Sequence, residues 1–221
     1  AMFQRAIAIA PSYATALQWW GESLMSTGDL DEALEVTARA MALDPKSPVV
    51  RGAHVNALWQ SGRDDESVSL CTAIQADAPE YGPCRLYHYS AAIARRDYPR
   101  ARQLLHAVAE PRGAEAVRFA DAMSTVLEAG PGGSAEASAV AARLAELPDG
   151  YLDDSVLTPL GGGDMVLWFM AVGRNDLAVQ RIERMAETLP QLARWTMADV
   201  HVDPLRCEPG FRALAQRLGF D

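Results

Sequence analysis

Within Ala14–Lys46 the residues Leu17, Trp20, Gly21 and Leu24 recur at i, i+3, i+4 and i+7, a spacing that buries one side of an α-helix. Thr27-Gly28-Asp29-Leu30 follows as a turn. Asp31 and Glu32 then place acids at the positive end of a second helix, whose Ala33, Ala40 and Leu43 lead to a stop at Asp44-Pro45. Small Gly21 and Ala33 let the two backbones approach closely, and Trp20 fills the wider gaps. The pattern predicts an antiparallel helix pair.

The punctuation of this pair recurs along the chain. Pro11, Pro45 and Pro79 are evenly spaced, and Gly28 and Gly62 are separated by the same interval. Each of these glycines precedes its proline by half that interval, and Gly173 and Pro190 repeat the half-interval. Glycine relaxes the turn closing one helix, about three turns of a second helix follow, and proline stops it.

A second unit, near Pro48–Glu80, keeps Leu58, Gly62, Asp65-Glu66 and Pro79. A third, near Gly82–Glu110, keeps Tyr98 and Ala101 but has Arg96 in the turn. Phe3–Pro11 reads as a second helix without its partner, which predicts a chain continuing upstream by at least one helix.

Beyond Arg112 the prediction is a helix over Ala114–Ala129, a turn at Gly130-Pro131-Gly132-Gly133, and a helix over Ser134–Leu147 with Ser134 as N-cap and Pro148 as stop. Asp149–Gly163 reads as a long loop and Asp164 as a cap. Helices over Met165–Val172 and Asp176–Leu189 follow, with Ala178, Ile182 and Met185 buried, then a last pair near Gln191–Val200 and Pro209–Leu218.

Leu17, Gly21, Leu24, Gly28, Ala33, Ala40 and Pro45 resemble the tetratricopeptide repeat signature at its offsets. In the second unit Val55, Ser67 and Ile74 stand where that family prefers small residues, so looser or shifted packing is expected there. The resemblance implies an all-α fold, an α-α superhelix of antiparallel hairpins forming a single solenoid over 1–221. Its expected divisions are a partial repeat at 1–11, clearer repeats at 12–113, degenerate ones at 114–200 and a cap at 201–221. The ending Asp203–Leu214 resembles the terminal segment of bacterial multidomain regulators that join a winged-helix domain, a nucleotidyl cyclase or a protein kinase to such repeats.

In repeats of this class, four positions of each first helix commonly face an extended groove. Transferred to this chain they are Thr15, Gln18, Glu22 and Met25, then Val49, Gly52, Asn56 and Trp59, then Pro83, Leu86, Ser90 and Ile93. The lysine and asparagine clamp of chaperone-binding members is absent: Gln18, Glu22, Ala53, Pro83 and Tyr87 stand at its positions. A mixed lining of this kind suits a protein or peptide partner, with main-chain hydrogen bonds to the amides and a side chain against the indole.

Composition narrows the alternatives. The 221 residues are 49% hydrophobic and 22% charged, ordinary values for a folded soluble chain. A net charge of −9 repels phosphate backbones and anionic lipid. Neither nucleic acid nor membrane is an expected partner of this segment.

Cys71, Cys84 and Cys207 form neither a disulfide framework nor a paired metal motif, which favours a reducing compartment, and Cys71 and Cys84 read as buried small hydrophobes. His54 and His88, one repeat apart, attract a metal reading. Adjacent first helices lie about 8–10 Å apart and no further ligand falls at diagnostic spacing, so packed, hydrogen-bonded histidines are expected. His106 and His201 read as surface or cap residues.

Gly161-Gly162-Gly163 lacks the Gly-Lys-Ser/Thr of a phosphate loop, and Ser155 and Thr158 lack a nucleophile elbow. Asp149, Asp153 and Asp154 read as a solvated loop. Trp19 and Trp20 point about 100° apart, so if Trp20 packs in the hairpin, Trp19 serves another interface or is exposed. No cofactor, metal or catalytic residue is expected.

The expected function is noncatalytic protein or peptide binding as the sensory or interaction region of a bacterial transcriptional or signalling regulator, with an upstream effector domain of the same chain as one candidate partner. The alternatives are a self-association scaffold, which makes a homo-oligomer, and a small-ligand sensor. The expected location is cytoplasmic, or periplasmic if a transmembrane helix precedes the repeats.

Overall fold

Gly28, Gly62 and Gly173 adopt φ of +84°, +71° and +77°, the left-handed conformation that ends a helix at low cost when no β-carbon is present. At each, the glycine N–H donates to the carbonyl three positions back, and the next N–H to the carbonyl five positions back. These bonds run from Gly28 to Met25 and Asp29 to Leu24, from Gly62 to Trp59 and Arg63 to Leu58, and from Gly173 to Met170 and Arg174 to Phe169. Arg96 takes the same conformation, φ +57°, with the same bonds, Arg96 to Ile93 and Asp97 to Ala92. The third hairpin therefore keeps the register of the repeat without its glycine.

The computed structural model describes residues 2–130, 135–146 and 162–220. The turn residues 131–133, the Ser134 cap, the Pro148 stop and the loop up to residue 161, with Asp149, Asp153, Asp154, Ser155 and Thr158, lie outside the described residues. The α-helices are α1 (Met2–Ile9), α2 (Ala14–Met25), α3 (Leu30–Leu43), α4 (Pro48–Gln60), α5 (Asp64–Asp77), α6 (Pro83–Ala94) and α7 (Tyr98–Ala109), then α8 (Ala114–Ala129), α9 (Ala135–Ala145), α10 (Gly162–Ala171), α11 (Asn175–Thr188), α12 (Pro190–Ala198) and α13 (Pro209–Leu218). Glu110–Arg112 and Val200–Cys207 are 3₁₀ helices. Among the described residues there is no strand, and the fold class is the all-α helical repeat.

Contacts divide the chain into two compact units, one of Ala1–Tyr87 with Ala198–His201, the other of His88–Met197 with Val202–Asp221. In the first unit α2 pairs with α3 and α4 with α5, while α4 packs against both α3 and α2. Leu17, Met25, Ala33 and Ala40 have no exposed surface. A β-carbon on Gly21 would collide with Thr37 Cγ2, the close approach its small size predicts. Trp20 turns toward α1, edge-on to Phe3 at 6.4 Å, and Trp19 is 52% exposed.

The second repeat is not looser. Val55, Cys71, Ile74 and Cys84 form one fully buried cluster, and Ser67 Oγ donates to the Val55 carbonyl at 3.2 Å. The larger residues interlock because Ser67 satisfies its hydroxyl against the facing helix. The cysteines also overturn the expectation of unpaired thiols: Cys71 and Cys84 form a disulfide with Cα atoms 5.1 Å apart. The turn at Pro79 folds α6 back so that its first residues face the middle of α5, within the span a disulfide bridges.

In the second unit α7 packs on α8, α8 on α9, and α10 on α11. Arg102 bridges Asp121 and Glu128 at 3.3 and 3.5 Å, and His106 Nε2 lies 3.1 Å from Asp121. Trp168 and Phe169, both fully buried, meet edge to face at 5.4 Å. Ala178, Ile182 and Met185 are buried as predicted.

α10 begins at Gly162, so position 164 falls within the helix and not at its cap. α13 is tied to α11 by Asn175 Nδ2 donating to Glu208 at 3.2 Å. Gly210 lies close to Val179, and Arg194 donates to the Leu218 carbonyl while covering the Phe220 ring. Pro204-Leu205-Arg206 belongs to the 3₁₀ segment, with Leu205 fully buried.

Candidate functional site

The first helices α2 and α4 lie side by side, which brings the groove positions of the first two full repeats onto neighbouring elements. Glu22 and Asn56, one repeat apart, are both half-buried. Gln18 Nε2 donates to Glu22 Oε1 at 3.0 Å, and Gln60 Nε2 to Asn56 Oδ1 at 3.1 Å. Each first helix thus carries a hydrogen-bonded pair one turn apart, an amide with a carboxylate on α2 and two amides on α4. Thr15 and Leu86 are half-buried, and Val49 and Pro83 exposed.

Other predicted groove residues are placed differently. Met25 has no exposed surface, and Ser90 and Ile93 are 2% and 3% exposed. The faces carrying them are covered, so they serve packing here and not an open lining. Gly52 is covered by Tyr81, whose hydroxyl stands where a β-carbon would lie. Burial and the nearby Glu22 carboxylate raise the Tyr81 pKa and keep the phenol neutral.

Trp59 is 4% exposed, and what covers it comes from far along the chain. The His201 ring stacks on the indole, with centroids 4.0 Å apart and planes 9° from parallel. Trp59 Nε1 donates to Asp199 Oδ2 at 2.9 Å. The other Asp199 oxygen receives the His201 backbone N–H at 2.9 Å and faces His201 Nδ1 at 2.6 Å. His201 Nε2 lies 3.0 Å from Asp64 Oδ1 on α5, and Tyr87 closes the indole's surroundings at 6.1 Å.

His201, expected as a surface or cap residue, is thus held between two carboxylates. The reason α12 ends at Ala198, short of Val200, is local. Asp199 takes the His201 N–H with its side chain, which offers the backbone an alternative to another helical turn. Burial disfavours the charged ring, but the hydrogen bond to Asp199 and the charges of Asp199 and Asp64 outweigh it and raise the pKa above the ordinary imidazole value. Nothing in local sequence pattern connects His201 with Trp59. An Asp two positions before a His was the one visible hint.

The repeat-related histidines behave as packed groups. Thr37 Oγ1 donates to the Ala33 carbonyl at 2.7 Å and lies 2.9 Å from His54 Nδ1. Burial, then the Arg63 charge, lower the His54 pKa against the opposing Glu66. His88 is lowered by burial and by Arg100. Among the described residues no group of three His, Cys, Asp or Glu side chains is placed to hold a metal, and no helix is long and apolar enough to cross a membrane.

The first unit carries hydrogen-bonded side chains on paired first helices and an indole covered by Asp199 and His201. No curated protein matches the chain. The tetratricopeptide repeat family model matches residues 24–88, from the end of α2 into α6, so this stretch is similar to repeats that generally mediate protein–protein interaction.

Proposed function

We propose that the chain is a noncatalytic protein- or peptide-binding module, acting through the face that carries Glu22 and Asn56, with the buried Gln18 holding Glu22. The carrying observation is the placement of Glu22 and Asn56 at repeat-equivalent, half-buried positions on adjacent first helices, each with a hydrogen-bonded amide partner. An extended peptide laid across α2 and α4 meets these groups at the spacing of one repeat. A peptide-array screen tests the reading: Glu22→Ala with Asn56→Ala is expected to weaken captured peptides at least tenfold, and unchanged capture overturns it.

We further propose that the module is the interaction region of a multidomain regulator, supported by the resemblance of Asp203–Leu214 to the closing segment of such proteins. The Cys71–Cys84 disulfide favours the periplasmic over the cytoplasmic alternative, because such bonds persist in oxidising compartments. Thiol counting on protein taken directly from the native host compartment tests this. Free thiols at Cys71 and Cys84 would point back to the cytosol.

A further inference from the structure

The segment Ala198–His201 sits on α4 of the first unit as a bound peptide would. Asp199 accepts the indole N–H of Trp59, His201 lies flat on the indole, and Asp64 receives the far side of the imidazole. Val200 adds a methyl contact beside Gly62. Trp59 is a groove position by its repeat offset, so the residues covering it stand where an external ligand is expected.

We propose that the Trp59 platform recognises a partner peptide carrying a carboxylate two positions before an imidazole, and that Asp199 and His201 hold this site as an internal stand-in which the partner displaces. The proposal rests on the binding-module reading and names the chemistry of its partner.

Three features favour displacement over a permanent core contact. Besides the Val200 methyl contact, the segment is held by two side chains through a ring stack and charge-assisted hydrogen bonds, all of which an incoming peptide of the same chemistry reproduces. The segment runs from the end of α12 into a 3₁₀ helix interrupted by Pro204, and a short segment opens at less cost than the whole unit. The side chains of Asp199, His201 and Asp64 also keep 13%, 12% and 24% of their surface exposed, so the cluster borders solvent.

An internal occupant competes as a ligand at high effective concentration. Removing it should raise apparent affinity for the external one.

The probe is an end-blocked, fluorescein-labelled peptide of residues 196–203, Thr-Met-Ala-Asp-Val-His-Val-Asp, titrated by anisotropy into the full chain. The Asp199→Ala/His201→Ala protein is expected to bind it at least tenfold more tightly than wild type. Binding should be lost when the peptide's own Asp and His are replaced by Ala, or when Trp59→Ala is added. Equal affinity for both proteins, or none for a double variant whose circular dichroism is native, overturns the proposal.

Should the double variant unfold, Asp199→Asn weakens the internal occupant and leaves the platform residues Trp59 and Asp64 unchanged, and at least a threefold gain is expected. No gain overturns the proposal. If an array of unrelated peptides is captured through Glu22 and Asn56 while neither protein takes this probe, the proposal fails and the binding-module reading stands. If no peptide of either kind is captured, both fail.

Discussion

Gly62 and Arg96 stand one repeat apart in the same left-handed conformation, at φ +71° and +57°. Each closes its hairpin with the same pair of backbone bonds. For an L-residue other than glycine this conformation costs about 1–2 kcal/mol, and the Arg96 side chain is exposed. Arg96→Gly is expected to stabilise the protein by about 1 kcal/mol, net of the greater entropy glycine brings to the unfolded chain. The shift in urea midpoint measures it, and a destabilised variant would show that the arginine side chain contributes more than its backbone costs.

Gly21 tests the opposite case, a glycine required for space. Its missing β-carbon faces Thr37 Cγ2, and Thr37 is tied to both the Ala33 carbonyl and His54, so it does not turn aside freely. Gly21→Ala should destabilise the first unit by about 1–3 kcal/mol, the usual cost of overpacking, despite alanine's better helix propensity. Thermal denaturation followed by circular dichroism reads the outcome.

The Cys71–Cys84 bridge closes a short loop, with a sequence separation of 13. In the chain-entropy account a bridge of this size contributes about 3 kcal/mol. Replacing both cysteines by alanine is expected to lower stability by that order, somewhat more through lost packing at two fully buried sites. Adding reductant should lower the midpoint of the wild type and leave that of the variant unchanged.

The histidines make pH dependence local. The pKa of His201 is raised by Asp199 and Asp64 against the effect of burial. Its contact is therefore at full strength below the unfolded value of about 6.5 and weakens as pH rises through the higher folded value. His54 is lowered, so its contribution has the opposite sign, present above the unfolded value and lost as pH falls toward the folded one. Global stability mixes the two. Amide exchange at residues 199–201 separates them, and it should accelerate relative to α3 between pH 6 and pH 9 after correction for intrinsic rates.

The hairpin architecture was legible because its causes are local. Turn residues, the stripe of Leu17, Gly21 and Leu24, and the small residues at 33 and 40 each act within one helix or between consecutive ones. Arg96 shows the limit of a residue-type signal: the hydrogen-bond geometry of the turn survives without the glycine that usually announces it. The disulfide was not legible, because the spacing of Cys71 and Cys84 along the chain says little until the turn at Pro79 sets the angle between α5 and α6. Of the groove residues, Glu22 and Asn56 lie half-buried on neighbouring helices. Met25, Ser90 and Ile93 face packed surroundings that no first-helix offset specifies.

The amino-acid order by itself determined where helices begin, end and pair, since those choices depend on neighbours within a single repeat. Only the tertiary structure decided that Trp59 is covered and that His201, from near the other end of the chain, is held between two carboxylates. Stacking and charge pairing act over a few ångströms of space whatever the separation along the chain. Their partners are chosen by how the packed helices bring distant segments together.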